Sequence, residues 1–265
     1  MRSLLKADFF AVLKSKVSLI VLIICVAVPL FTTLVYVALG AAIDQIMDPE
    51  IGFDLSQAFE ARFIMFSNFS LTNNIGLVIP VFAGILIMAD IRNGTVRNKV
   101  IIGKNRTQIY FSHLIVSTVF CVAMSLISFV VLCGGSLLFF KYGAPFKGAE
   151  VGNFFMCLCI GLVSFAFIGS LTTFFALVTK SMPITIIFTI IIMIVLGIIG
   201  SLYTFMPDDK YKYFFYCLPT FASTTMVASS SINLELFLFG IGSILVFYTI
   251  NTVLGVYLFN KLDLK

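Results

Sequence analysis

Six long apolar runs dominate this sequence and constrain its fold more than any other feature. About 20 apolar residues cross a bilayer core once, and a segment in lipid satisfies its backbone hydrogen bonds only as a helix. Of 265 residues, 60% are hydrophobic and 11% are charged, which excludes a soluble enzyme and a disordered chain. We therefore predict an all-α membrane protein with one transmembrane domain, residues 1–265. The predicted spans are residues 17–40, 71–89, 111–140, 154–179, 183–205 and 236–259.

The third apolar run is longer than a bilayer requires. A helix that is too long for the hydrocarbon layer tilts or is interrupted. We expect the third span to do one or the other, and the weak point of its helix is Gly134-Gly135.

The distribution of basic residues predicts the orientation. With both termini inside, 12 of the 17 Lys and Arg residues fall on the inner side and five on the outer side. The net charge of +5 therefore reflects topology and does not indicate nucleic-acid binding. We predict six spans with the N and C termini both inside.

Residues 1–16 read as an amphipathic helix ahead of the first span. Leu4, Leu5 and Phe9 recur at helical spacing, and basic residues supply a polar side. Such a helix lies on an anionic membrane surface. A signal peptide is the alternative, but the following apolar run is longer than a signal's apolar core, so we expect the first span to be retained. The apolar set continues with Val12 and Leu13, and the basic set is Arg2, Lys6, Lys14 and Lys16.

The predicted spans carry no charged residue deep inside them. Ion-coupled carriers and proton pumps place such residues near the membrane centre, so their absence argues against both classes. Paired catalytic residues at membrane depth are also absent, which argues against an intramembrane enzyme. The mild polar residues either form hydrogen bonds between helices or line a substrate path. They are Asn73, Asn74, Thr172, Thr173 and Asn251.

The inner loop of residues 90–112 has the most specific local pattern. Asn93-Gly94 predicts a turn, and Thr95 is placed to cap a helix that begins at Val96. Gly103 ends that helix, and Thr107 can start the next one. We therefore expect a short surface helix between two turns, held against the inner ends of the spans.

The faces of this short helix suit a contact with a partner. Val96, Val100 and Ile101 are expected on one face, with Arg97 and Lys99 elsewhere. An apolar face with positioned charges is what a docking contact needs. A basic loop that merely follows the positive-inside rule is the alternative, but that rule does not require the glycines.

The loop resembles the first coupling-helix loop of ABC-2 type transporter permeases. That family has an acidic residue near the end of the second span, a Gly-Thr-x-Arg turn and a Gly-x-x-Arg before the third span. Here these are Asp90, residues 94–97 and residues 103–106. The sequence departs from the pattern at Arg92-Asn93, where the family commonly has an acidic residue. The layout of the whole chain is also similar, which implies the six-span ABC-2 (type V-like) exporter fold.

The resemblance implies how such a protein works. Two copies of an ABC ATPase subunit would dock on coupling residues of this chain, beside a second permease subunit, identical or homologous. This chain has no nucleotide-binding motif and no cofactor, so ATP and Mg²⁺ would be held by the ATPase. The protein would lie in the bacterial cytoplasmic membrane. The implied coupling residues are Asp90, Gly94, Thr95, Arg97, Lys99, Gly103, Arg106 and, in the inner loop of residues 178–182, Lys180.

The expected substrate is lipophilic or amphipathic. Similar small permeases protect bacteria against antimicrobial peptides such as lantibiotics, or export amphipathic peptides. Export of ions or small drugs, and a non-transporting scaffold or sensor, are the alternatives. In similar permeases the outer segment, residues 206–235 here, re-enters the outer leaflet, although an ordinary structured loop fits the sequence equally well.

Overall fold

The computed structural model describes residues 1–46, 60–71, 74–142, 148–203, 212–229 and 232–261. These residues form helices joined by turns, without a β-strand. The helices are α1 (Arg2–Lys14), α2 (Lys16–Ile46), α3 (Ala61–Ser67), α4 (Asn74–Arg92), α5 (Thr95–Ile101), α6 (Arg106–Phe139), α7 (Gly148–Thr179), α8 (Met182–Leu202), α9 (Lys212–Tyr216), α10 (Phe221–Ser229) and α11 (Leu234–Lys261).

Six of these helices are long and apolar enough to cross a membrane, which confirms the six predicted spans. They are α2, α4, α6, α7, α8 and α11. The predicted boundaries differ by a few residues. The largest differences are six residues, at the end of α2 and at the start of α7. The helix α2 ends at Ile46 rather than at residue 40, and α7 begins at Gly148 rather than at residue 154, because it continues into a polar first turn with Glu150.

Contacts place both ends of the described chain on one face of the bundle. Arg106 at the start of α6 donates a hydrogen bond to the Asn260 carbonyl at 3.1 Å, and the Asn260 amide donates to Thr107 at 3.2 Å. Asp8 of α1 accepts a hydrogen bond from Ser112 of α6. The N-terminal helix, the start of α6 and the end of α11 therefore share the face that the charge distribution assigns to the inside.

The helix α7 forms the centre of the bundle and packs against α4, α6, α8 and α11. Small residues allow the close approach. A β-carbon at Gly169 would lie 2.8 Å from the Thr118 backbone of α6, and one at Gly161 would overlap the ring of Phe69. Close packing at glycine is a usual means of helix association in membranes. Large apolar side chains are left exposed along α2, α8 and α11, as expected for lipid-facing helices.

Of the two alternatives expected for the third span, a tilt or a break, the break at Gly134-Gly135 is wrong. The helix α6 runs unbroken through Gly134 and Gly135 for 34 residues, about 51 Å, so a tilt is the remaining expectation. Gly135 has a packing role instead, because a β-carbon there would lie 2.8 Å from the hydroxyl of Thr33 on α2. The glycine lets the two helices touch without interrupting the hydrogen bonds of α6.

Three short helices, α3, α9 and α10, lie at the outer ends of the spans. The helix α3 was not predicted from the sequence, and it buries Ile64, Met65 and Phe66. Phe69, in the turn after α3, stacks on Phe129 of α6 with ring centroids 4.9 Å apart. In the segment of residues 206–235, α9 and α10 pack through an aromatic cluster, and residues 206–211 and 230–231 lie outside the described residues. Re-entry of this segment into the membrane stays a prediction.

Candidate functional site

The short helix α5 lies between two glycines with left-handed backbone conformation. Gly94 has φ 70° and Gly103 has φ 86°, values that side-chain-bearing residues rarely adopt. At its C-terminal end, the Gly103 N–H donates to the Val100 carbonyl at 2.9 Å and the Lys104 N–H to the Lys99 carbonyl at 3.1 Å. This pair of bonds is a Schellman motif, in which glycine is the favoured residue. The predicted surface helix and its two glycine boundaries are confirmed.

The predicted capping role of Thr95 is wrong. Gly94 occupies the position before the helix, and Thr95 is its first residue. The Thr95 hydroxyl donates instead to the Asp90 carbonyl at 2.6 Å. That carbonyl belongs to the last turn of α4, where carbonyls lack partners within the helix. The bond therefore joins the start of α5 to the end of α4.

The predicted apolar face of α5 is correct for two residues and wrong for the third. Val96 is buried in an apolar cluster with Ile87 of α4, and Val100 packs against that cluster. Ile101 is 71% exposed and the next residue, Ile102, is 76% exposed. The cause is helix geometry, because at about 100° per residue Ile101 lies about 140° around the axis from Val96. An apolar pair thus projects from the inner end of the bundle.

A buried ion pair joins α5 to the N-terminal helix. The Lys99 ammonium lies 2.6 Å from one carboxylate oxygen of Asp8. The other oxygen accepts a hydrogen bond from Ser112 at 2.6 Å. The Asp8 side chain is 6% exposed and that of Lys99 15%, so water screens the pair weakly. Asp8 therefore ties together α1, α5 and α6.

A second acidic residue lies close to this pair. An Asp90 carboxylate oxygen lies 3.9 Å from Nδ1 of His113, and Nε2 of this buried histidine has no hydrogen-bond partner among the described residues. Asp8, Asp90 and His113 line a small cavity of about 20 Å³, room for a single water. Within the described residues, no group of three or more His, Cys, Asp or Glu is arranged to hold a metal ion.

The predicted coupling residues fall into three places. Six of them lie in α5 or close to its two ends, and Arg97 is one of those that are exposed. Arg106 begins α6 and holds the end of α11. Lys180 lies in the α7–α8 turn, where it is the one described residue other than glycine with positive φ, at 52°. The α5 residues are Asp90, Gly94, Thr95, Arg97, Lys99 and Gly103, and the coupling role of all eight stays a prediction.

The predicted substrate-path residues that the structure describes lie on three helices, α4, α7 and α11. Thr172 and Thr173 are fully buried, and their hydroxyls donate to carbonyls one turn back in α7. Asn251 of α11 has a buried amide nitrogen without a partner among the described residues. Asn73 lies outside the described residues, and Asn74 begins α4. A role in a substrate path stays a prediction.

Sequence reasoning missed three residues of this inner face. Asp8 lies between Leu4 and Val12 at four-residue spacing, on the apolar side of α1. A lone carboxylate in an apolar stripe needs a buried partner, and that signal could have found it. Ser112 and Ile102 carried no local signal of their own.

Comparison with known proteins adds one match. A family model described as "ABC-2 family transporter protein" matches residues 4–200, which include most of α1, all of α2 to α7 and nearly all of α8. No curated protein matches the chain.

Proposed function

This chain belongs to the ABC-2 transporter family and is the membrane-spanning subunit of an ABC transporter; we propose that it serves export. A separate ATPase would dock on α5 and drive a lipophilic or amphipathic substrate outward. Within that class the best fit is an antimicrobial or other amphipathic peptide. ATP and Mg²⁺ would be bound by the ATPase and not by this chain.

The observation that carries the docking proposal is the exposed pair Ile101 and Ile102. Both side chains project from the inner end of the bundle, with the exposed Arg97 on the same short helix. Apolar residues of this size at a protein surface, next to a charge, fit the centre of a protein contact. Two left-handed glycines fix where the pair points. A partner ATPase would cover this pair.

The contacts of α5 support its role in transmitting a movement. The Lys99–Asp8 ion pair connects it to α1, and Asp8 connects in turn to Ser112 of α6. The Thr95–Asp90 bond connects it to α4. A partner that displaces α5 would therefore displace two spans and the N-terminal helix together. Such a rigid connection is what switching between two arrangements of the spans requires.

The assembly and the substrate are proposed on weaker grounds. The exposed apolar faces of α2 and α8 leave room for a second permease copy or relative, beside lipid. Two ATPase copies would then dock below the pair. The middle parts of the described spans carry no charged side chain, which favours a lipophilic or amphipathic substrate over a metal ion. The bacterial cytoplasmic membrane is the expected location.

Copurification tests the docking proposal. The tagged chain is extracted into nanodiscs from the cells that produce it, with ATP and vanadate present, and the bound proteins are identified by mass spectrometry. We expect an ATPase in stoichiometric amount, and we expect the complex prepared without vanadate to hydrolyse ATP. The double substitution Ile101→Ser and Ile102→Ser should weaken its binding about a hundredfold, because most of two isoleucine side chains would no longer be buried.

The control is Leu13→Ser on α1. Leu13 is 76% exposed, as Ile102 is, and lies on the same inner face but away from α5. This variant should retain the ATPase. If the chain purifies alone even under nucleotide trapping, a scaffold or sensor replaces the exporter. Equal ATPase recovery from the Ile101/Ile102 variant would remove α5 as the docking site.

A further inference from the structure

A groove of about 470 Å³ opens between α4 and α8 at their inner ends. One wall is the stretch of α4 and its turn from Ile85 to Asn93, and Lys180 and Met182 form the other. Next to the groove, toward the membrane centre, the helices meet, because a β-carbon at Gly84 would lie 3.5 Å from the methyl group of Thr185. The groove therefore lies between the inner ends of the two helices, on the inner side of the level at which they meet.

The two ends of this groove differ in chemistry. Ile85 and Met88 line the end nearer the membrane centre, and Arg92 and Lys180 line the inner end. The axis of α4 advances about 10 Å from Ile85 to Arg92. None of the groove's lining residues is a carboxylate, and Asp90 of α4 lines a separate small cavity instead. The groove is therefore apolar at the end nearer the membrane centre and carries two cationic side chains at its inner end.

We infer that this groove binds one anionic phospholipid of the inner leaflet. Its phosphate would lie between Arg92 and Lys180, with an acyl chain against Ile85 and Met88. Basic pockets between spans on the inner side suit anionic headgroups, and the inner leaflet is where such lipids meet them. The apolar end lies about 10 Å beyond the cations, a depth that suits an acyl chain and not a side chain of a soluble partner. The inference does not depend on the proposed export function.

The backbone at Lys180 supports a role for its side chain. Its φ of 52° is in the left-handed region, where glycine carries no steric cost and a lysine does. A lysine therefore occupies a position whose geometry favours glycine. Its half-buried side chain lines the inner end of the groove. There its ammonium can bind an anionic headgroup, which a glycine could not do.

Native mass spectrometry of the purified chain in detergent tests this inference. The probes are dioleoyl phosphatidylglycerol, dioleoyl phosphatidylcholine and free glycerol phosphate, each added in titration. We expect one phosphatidylglycerol per chain to bind tighter than phosphatidylcholine, and glycerol phosphate not to compete at similar concentrations. Arg92→Gln combined with Lys180→Gln should weaken phosphatidylglycerol binding about thirtyfold, because each cation near an anionic headgroup contributes about fivefold.

Three further variants separate the groove from general surface charge. Lys180→Gly removes the charge and also relieves the left-handed strain, so this variant should fold at least as well as the original chain. A loss of lipid binding in Lys180→Gly can therefore not be ascribed to unfolding. Ala89→Phe fills the groove and keeps both cations, and it should also lower lipid binding. Lys6→Gln removes an exposed cation of α1 on the same face and should leave binding within about twofold.

Several results would overturn the inference. One is equal binding of phosphatidylcholine and phosphatidylglycerol. Another is unchanged lipid binding in Ala89→Phe, which would mean that the cations attract headgroups without the groove. A third is a double cation variant that keeps the lipid but loses a copurified ATPase. That result would assign Arg92 and Lys180 to a protein contact.

Discussion

The Asp8–Lys99 ion pair offers the sharpest test of how α5 is held. Lys99→Met removes the ammonium and keeps most of the side chain's length and volume. The Asp8 carboxylate, 6% exposed, would then keep the hydrogen bond from Ser112 at 2.6 Å but lose its buried cation. Removing one partner of a buried pair costs about 3–5 kcal/mol, because a buried charge loses its compensation. With the Ser112 bond retained, we expect a loss of about 3 kcal/mol in the free energy of unfolding.

Substitution of the other member of the pair, Asp8, should lower the free energy of unfolding by less. Asp8→Asn keeps the size of the side chain and an oxygen that can accept from Ser112. Lys99 is 15% exposed, so its ammonium has better access to water than Asp8 does. We expect a loss of about 1.5 kcal/mol for Asp8→Asn. In the double variant no charge is left uncompensated, and we expect about 2.5 kcal/mol, clearly below the sum of the single losses.

The assay is unfolding of the purified chain in mixed micelles by titration with a denaturing detergent, followed by circular dichroism. Lys6→Met serves as control, because Lys6 is exposed on the same helix as Asp8. Losses for the single variants that add within about 0.5 kcal/mol in the double variant would refute the coupling between Asp8 and Lys99. A Lys99→Met variant no less stable than the Lys6 control would refute the burial argument itself.

Two predictions concern glycines. Gly94→Ala and Gly103→Ala should each lower the free energy of unfolding by about 1 kcal/mol. The cause is left-handed backbone strain alone, because a β-carbon at either position meets no atom within 4 Å. The same detergent titration measures this loss, and an unchanged unfolding midpoint would contradict the prediction. Gly255→Ala should lower the free energy of unfolding more, by about 2–3 kcal/mol, because the new methyl group overlaps the Tyr110 ring. Gly242→Ala is the control on the same helix: its methyl group meets open space, so this variant should be neutral or slightly stabilising in the same titration.

The features that the sequence predicted correctly depend on local pattern. Each span is a long apolar run, and lipid leaves such a run no alternative to a helix. The boundaries of α5 were predictable for a similar reason, because Gly94 and Gly103 are required by the backbone itself. In both cases the physical cause lies within a few residues of its effect.

The features that the sequence did not predict depend on distant residues. Lys99 and Asp8 are 91 positions apart, and no local sequence pattern at either residue indicates its partner. The continuity of α6 at Gly135 likewise depends on Thr33 of a different helix. Local propensity was overridden by tertiary contact at each of these places.

The relative strength of the two sides of α5 bears on what it can transmit. Burying most of Ile101 and Ile102 against a partner would contribute about 3 kcal/mol. On the inner side, the charge-assisted bond between Lys99 and Asp8 contributes about 2 kcal/mol net, because water would hydrate both groups again if α5 separated, and burial of Val96 adds about 2 kcal/mol. The bond from Thr95 to Asp90 adds about 1 kcal/mol. Because the attachment to α1, α4 and α6 exceeds the outward contact, a pull through the isoleucines would detach the partner before it separated α5 from the spans. A docked ATPase would therefore move the inner end of the bundle as one unit.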